Sequence, residues 1–128
     1  MPVSRVPSPS RFAPVIGFSS AVRAGDTVYV AGVSAVDGSG EVVGGADAYA
    51  QAAEVLRKIG VALGEAGASL DQVVRTRVYL ARADIWEEVG RAHGEAFGSA
   101  LPASTMVVAE LLDPRMLVEI EAVAYVGG

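Results

Sequence analysis

PASTMVVAELLDPRMLVEIEAVAY, residues 102–125, is the stretch whose reading decides the fold. Residues 116–125 alternate strictly. Met116, Val118, Ile120, Ala122 and Ala124 fall on one side, and Leu117, Glu119, Glu121, Val123 and Tyr125 on the other, which is the period-two signature of a strand. Residues 105–111 are apolar and partly β-branched and read as a second strand. Leu112-Asp113-Pro114-Arg115 reads as the turn between them, because proline fixes φ and offers no ladder N–H. A closing hairpin is therefore expected. One of its faces is apolar throughout, while the other carries two carboxylates two residues apart. Burying a carboxylate is costly unless it is paired or hydrogen-bonded, so Glu119 and Glu121 are either a solvated outer face or part of a site.

The whole chain has 128 residues, enough for one domain with one core. Apolar residues make up 52% and charged residues 20%, a globular composition rich enough in apolar groups to point to surface buried in an oligomer. A net charge of −5, with dispersed Lys and Arg, argues against nucleic acid and anionic membranes. With no cysteine and one histidine, disulfides, thiol nucleophiles and thiolate or multi-histidine metal centres are not expected. No apolar run approaches the length of a membrane span and no signal peptide opens the chain, so a cytoplasmic protein is expected.

Outward from the decisive stretch, residues 1–16, rich in Pro and Ser, read as an extended lead-in without regular structure, and residues 17–128 as a single domain. Residues 27–33 read as a buried strand whose Ala31-Gly32 pair lets a backbone or ligand come close. The runs 33–36 and 41–43 flank a Gly-rich loop and can pair as a small hairpin. A helix is expected over residues 47–66, with Asp47 as N-cap, Val55, Leu56, Ile59 and Leu63 as its apolar stripe, and Gly67 as its stop. Gly60 and Gly64 inside it suggest close packing on a sheet. Ser69 to Gln72 reads as a capped turn. Residues 73–81 read as a strand, with Val74, Thr76, Val78 and Leu80 on one side and Arg75, Arg77 and Tyr79 on the other. A second helix is expected over residues 84–98, with Asp84 and Glu87 at capping-box spacing and Trp86, Val89, His93 and Phe97 on one face. His93 is then a hydrogen-bonded core or interface residue, or a titratable site residue. Two helices on one face of a mixed sheet make an α+β fold.

Chemistry is sparse in the residues alone. The glycines do not form a phosphate loop, there is no Gly-x-Ser-x-Gly elbow, and the lone histidine has no nucleophile in sequence reach.

Several segments in order carry a family likeness. Gly17-Phe18-Ser19, Val30-Ala31-Gly32, the run from Ala66 to Val74, and Pro102-Ala103 followed by Leu117 to Ala124 resemble the RidA (YjgF, L-PSP) family of reactive-intermediate deaminases. The resemblance covers the chain from Gly17 onward. It implies a chorismate-mutase-like fold, no cofactor, a small-molecule ligand, and a homotrimer with clefts between subunits. Glu119 matches the glutamate that orders a water beside the imine carbon.

The chain also departs from the deaminating pattern Pro-Ala-Arg-Ser-(Thr/Cys). Ser104 stands where the family's arginine grips the substrate carboxylate as a bidentate fork. Met106 stands at the Thr/Cys position and Phe18 at the family's cleft tyrosine, so the chain resembles an arginine-lacking branch. Three readings follow. The first is an enzyme acting on a less charged imine, enamine or related carbonyl compound. Glu119 is then base or water-holder among Phe18, Gly32, Trp86 and Met106, with Arg77, His93 and Ser104 as polar walls. The second is ordinary 2-imino acid deamination with Arg77 or Arg115 as substitute clamp. The third is a non-catalytic binding or regulatory trimer.

Overall fold

The computed structural model describes residues 2–128. Six strands form one sheet: β1 (Val3–Val6), β2 (Ala21–Ala24), β3 (Thr27–Val33), β4 (Val73–Leu80), β5 (Ala103–Val108) and β6 (Val118–Tyr125). Their order across the sheet is β1-β2-β3-β6-β4-β5, and only the β4–β5 pair is parallel. Three helices accompany them: the short α1 (Ala13–Ile16), α2 (Ala48–Glu65) and α3 (Trp86–Phe97). The long pair, α2 and α3, pack on each other, and α2 packs on β3 and β6. This is the α+β arrangement expected: a mixed sheet covered on one face by two helices.

The core lies between the helices and that face. Val55, Ile59 and Leu63 of α2 meet Val28, Val78, Val118 and Ile120 of the sheet, all fully buried. Asp47 caps α2, its side chain accepting from the Ala50 amide at 3.0 Å. Gly67 (φ +83°) ends that segment in a left-handed conformation that costs glycine little. Ser69 and Gln72 complete a capping box around one 3-10 turn, as their spacing suggests. The 33–43 segment closes with an antiparallel Val36–Val42 bridge.

The expected closing hairpin is not there. β5 ends at Val108 and runs parallel to β4, which lies between it and β6. Parallel neighbours need a crossover, and α3 supplies it between β4 and β5. The chain then returns through residues 109–117, past the edge of the sheet, before β6 enters the middle. Pro114 does mark a turn, closed by Met116 N–H donating to the Asp113 carbonyl at 3.0 Å. A polar knot fixes that turn. Asp113, 6% exposed, accepts two side-chain N–H groups of Arg115 at 2.7 and 3.1 Å and one from Arg11 at 3.3 Å. These bonds to Arg115 hold the Asp113 carboxyl down at about 2. The buried Gln51 of α2 bonds the Gly45 and Arg115 carbonyls and the Leu117 amide, so the loop is pinned to the helix layer.

Other local expectations also change. The lead-in is not without regular structure: β1 pairs antiparallel with β2 at the sheet edge. Asp84 does not cap α3; a 3-10 turn precedes the helix, and Asp84 pairs with Arg82 at 2.8 Å. A register shift between Val73 and Arg75 turns Val74 outward, 50% exposed, and leaves Val73, Thr76, Val78 and Leu80 as the buried set. Trp86 opens α3 at 56% exposure, so the helix buries Val89, Ala92 and Phe97 instead. A side chain at Gly60 would meet Leu70 rather than the sheet, and Gly64 faces open space.

Candidate functional site on the open sheet face

Alternation along β6 puts Glu119 and Glu121 on the face without helices. Cross-strand register places Glu119 beside Tyr79 and then Val107, and Glu121 beside Arg77 and then Thr105. The Tyr79 hydroxyl donates to Glu121 at 2.5 Å, and an Arg77 Nη stands 3.6 Å from the same carboxylate. Accepting that bond, Glu121 pushes the Tyr79 phenol above its ordinary range. Glu119, half-buried, has no hydrogen-bond partner among the described residues. Burial first, and the Glu121 charge second, push its carboxyl above the ordinary glutamate range. A bulge in β3 between Val30 and Val33 makes room for it. A Cβ on Gly32 would lie 2.5 Å from Glu119 Oε2, so only glycine leaves this notch open.

Ser104 and Met106 lie on the other side of the sheet. Their register partners are Thr76 and Val78, both fully buried under the helices. Thr76 Oγ1 is 2.8 Å from Ser104 Oγ and 2.8 Å from His93 Nε2, so the three side chains form one hydrogen-bonded row. The imidazole rests on the Phe97 ring, centroids 4.6 Å apart, and burial pulls its pKa below the usual value. The Met106 Cε lies 3.8 Å from where a Gly90 side chain would begin.

Phe18 and Gly32 line a cavity of about 330 Å³ between the 7–12 segment, the end of β3 and α2. There Lys58 bonds the Ser34 and Val36 carbonyls at 2.7 and 3.0 Å, and Arg57 forks onto Glu54. Within one chain, then, Gly32 meets Glu119, while Phe18, Trp86, Met106, His93 and Ser104 stand elsewhere. Of the two arginines considered as a substitute clamp, Arg115 is committed to Asp113 and to the Gly40 carbonyl at 3.0 Å. Arg77 stays on the open face, about half exposed. Sequence reasoning did not single out Tyr79 or Thr76. Alternation already put Tyr79 on the side of Arg75 and Arg77, but only the β4–β6 register brings it to Glu119. Among the described residues, no group of three or more metal-ligating side chains comes together.

Comparison with known proteins agrees with this architecture. The endoribonuclease L-PSP family profile matches residues 8–126. An uncharacterised protein of Streptomyces coelicolor is 40% identical over 98% of this chain and 93% of its own length. The 3-aminoacrylate deaminase RutC of Acinetobacter baylyi is 33% identical over 88% of this chain and 90% of its own. A crystal structure from Mycobacterium tuberculosis, of a member of the YjgF/YER057c/UK114 family, superposes with a TM-score of 0.88. It is 44% identical and covers 98% of this chain and 100% of its own. With the fold and the profile in agreement over nearly its whole length, the chain belongs to the RidA/YjgF (endoribonuclease L-PSP) family.

Proposed function

We propose that the chain forms a homotrimer whose inter-subunit clefts act on a small imine, enamine or related reactive carbonyl compound. Glu119 holds or deprotonates the attacking water. The observation that carries this reading is the Glu119 carboxylate, half-buried in the notch that Gly32 leaves and unpaired among the described residues, with burial pushing its pKa above the ordinary glutamate range. The open face supports assembly, because Tyr29, Val107 and Tyr125 are each at least 43% exposed in the single chain. Ser104 at the position of the carboxylate-binding arginine supports a substrate less charged than a 2-imino acid, since a neutral hydroxyl supplies no counter-charge. Glu119→Gln is expected to lower turnover of an apolar imine by about a hundredfold or more while sedimentation still reports a trimer. Turnover equal to wild type overturns the assignment.

A second reading has two observations behind it. The Acinetobacter relative is named a 3-aminoacrylate deaminase, and Arg77 stands on the face of Glu119 with only a 3.6 Å contact to Glu121. Arg77 then serves as the carboxylate clamp. Imine released from serine by a dehydratase is hydrolysed faster in the presence of the protein, and Arg77→Ala removes the effect. If neither substrate class is consumed and small ligands only raise Tm, a binding trimer is the better description.

A further inference from the structure

The row His93–Thr76–Ser104 has an unusual arrangement of ends and middle. Thr76 is fully buried, Ser104 is exposed on the edge strand, and His93 is half-buried. Its Nε2 points at Thr76, and its Nδ1 makes no hydrogen bond among the described residues. No buried side-chain nitrogen or oxygen among them lacks a partner, so Nδ1 is open to solvent. A hydroxyl both donates and accepts, so two hydroxyls ending on an imidazole can run in either sense. In one sense His93 Nε2–H donates to Thr76 and Thr76 to Ser104. In the other Ser104 donates to Thr76 and Thr76 to the bare Nε2. Passing from the second to the imidazolium moves one proton from the outer end to the histidine.

We propose that His93, Thr76 and Ser104 form a proton relay, with His93 as the base, that removes a proton from an uncharged hydroxyl of the substrate seated against Ser104. This rests on the imine-hydrolysis reading above and adds a second base to it. The step concerns the N-protonated carbinolamine formed when water has added to the imine. Its hydroxyl gives its proton to Ser104 Oγ, Ser104 gives its own to Thr76 Oγ1, and Thr76 gives its own to His93 Nε2. The freed oxygen pair forms the carbonyl as the C–N bond breaks, and that bond's electrons leave with ammonia. Once the products have left, the imidazolium returns its Nε2 proton along the same row to water at Ser104, which restores the bare Nε2 and the Nδ1–H tautomer for the next turnover. On its own chain Glu119 faces the other side of the sheet from Ser104, so the earlier step, addition of water, falls to the Glu119 that a neighbouring subunit brings to the same cleft. A serine at this position suits such a group, because it accepts a proton where an arginine can only donate.

No charged side chain contributes to the lowered imidazole pKa, which comes from burial alone. Glu87 and Glu88 of His93's own helix and Glu65 of α2 are exposed and have no partner among the described residues, and the other charged groups around it are engaged. On α3, Arg91 lies over the Tyr49 ring and Glu95 accepts from the Tyr49 hydroxyl. On β4, Arg75 donates to Thr105 and Arg77 faces Glu121; on α2, Arg57 pairs with Glu54 and Lys58 bonds two carbonyls. In the turn before β4, Asp71 accepts from Ser69. Burial therefore favours the neutral imidazole, the form that can act as a base.

The chain has one histidine, so long-range proton–nitrogen NMR of the uniformly labelled protein reads this imidazole without ambiguity. The relay requires the Nδ1–H tautomer, with Nε2 bare and accepting from Thr76. An Nε2–H tautomer overturns it, whether or not any imine is turned over. The kinetic arm uses Thr76→Val, which keeps the shape and cuts the row, beside Thr76→Ser, which restores it. On an uncharged imine, Thr76→Val is expected to lose about a hundredfold in kcat, together with the rising limb of the pH profile that reports His93 becoming neutral. Thr76→Ser is expected to keep both. Wild-type kcat and an unchanged limb in Thr76→Val overturn the relay. If wild-type protein turns over no imine, the proposed function fails, and the tautomer alone decides whether the row is poised as a base.

Discussion

Along β6, Val118, Ile120, Ala122 and Ala124 are at most 2% exposed, while Glu119, Glu121 and Val123, alternating with them, are half-buried, and Tyr125 is 50% exposed. One strand thus serves two environments. Its covered side is finished within the chain: Val118, Ile120, Ala122 and Ala124 pack under the helix layer and bring no polar side chain of their own to satisfy. Its open side carries Val123, Tyr125 and two carboxylates beside Tyr29, Arg77 and Tyr79 of the neighbouring strands, and Glu119 has no partner among the described residues. The lesson is that β6 gives stability through its first face and its own titratable groups through its second, a separation that the pleat makes possible because neighbouring residues never share a face.

The sharpest way to break this comparison is to make the same cut on both sides. Ile120→Ala removes buried methylenes that nothing can replace and is expected to cost about 3 kcal/mol in urea unfolding. Val123→Ala is expected to cost under about 1 kcal/mol at low protein concentration. If the open face is covered in the assembled protein, the Val123→Ala cost grows with protein concentration and the Ile120→Ala cost does not. Equal costs at every concentration refute the division between the faces.

The polar pin on the covered side comes next in size. Gln51→Leu leaves the Leu117 amide and two carbonyls without their partner and is expected to cost about 2 kcal/mol. It acts through the loop that delivers β6, so proteolysis within residues 109–117 should accelerate in step. Gly32→Ala works on the other face. Its new methyl collides with the end of the flexible Glu119 side chain, which can swing away. Little stability is lost, and turnover of an imine falls because the carboxylate has left its notch. A loss of stability comparable with that of Gln51→Leu would mean that Glu119 is held by more than the notch.

These contrasts also explain what could be read without coordinates. The two faces of β6 were legible because period two survives any pairing, and α2 was legible because Asp47, its apolar stripe and Gly67 agree. The partner of β5 was not. A strand followed by a proline turn and another strand looks like a hairpin locally, and nothing within residues 102–125 records that β4 lies between them. The same gap hid Thr76 and Tyr79, whose neighbours come from β5 and β6 through register alone. Trp86 and Val74 fall outside their expected faces for smaller reasons: a 3-10 turn leaves Trp86 exposed at the start of a helix whose Val89 and Phe97 keep the expected face, and a bulge turns Val74 out of its strand's pattern. Ser104 was legible as a substitution within a family pattern, yet its bond to Thr76 depends on the parallel pairing that local sequence conceals.

The smallest effect is the most discriminating. Glu119 has a folded-state pKa above its unfolded value, so its contribution to stability is fully present below the unfolded pKa of about 4.3. That contribution is lost as pH rises through the folded pKa, where the ionised carboxylate must sit half-buried beside the Glu121 charge. Glu119→Gln removes the titration. The variant's Tm should therefore match wild type near pH 4 and exceed it near pH 8, by on the order of a few degrees. Such a rise, in a substitution expected to lower turnover by about a hundredfold or more, means that the open face holds a strained group whose value is chemical. A difference that stays flat with pH means that a cation neutralises Glu119 in the assembled protein. Arg77, on the same face, is the first side chain to remove in search of it.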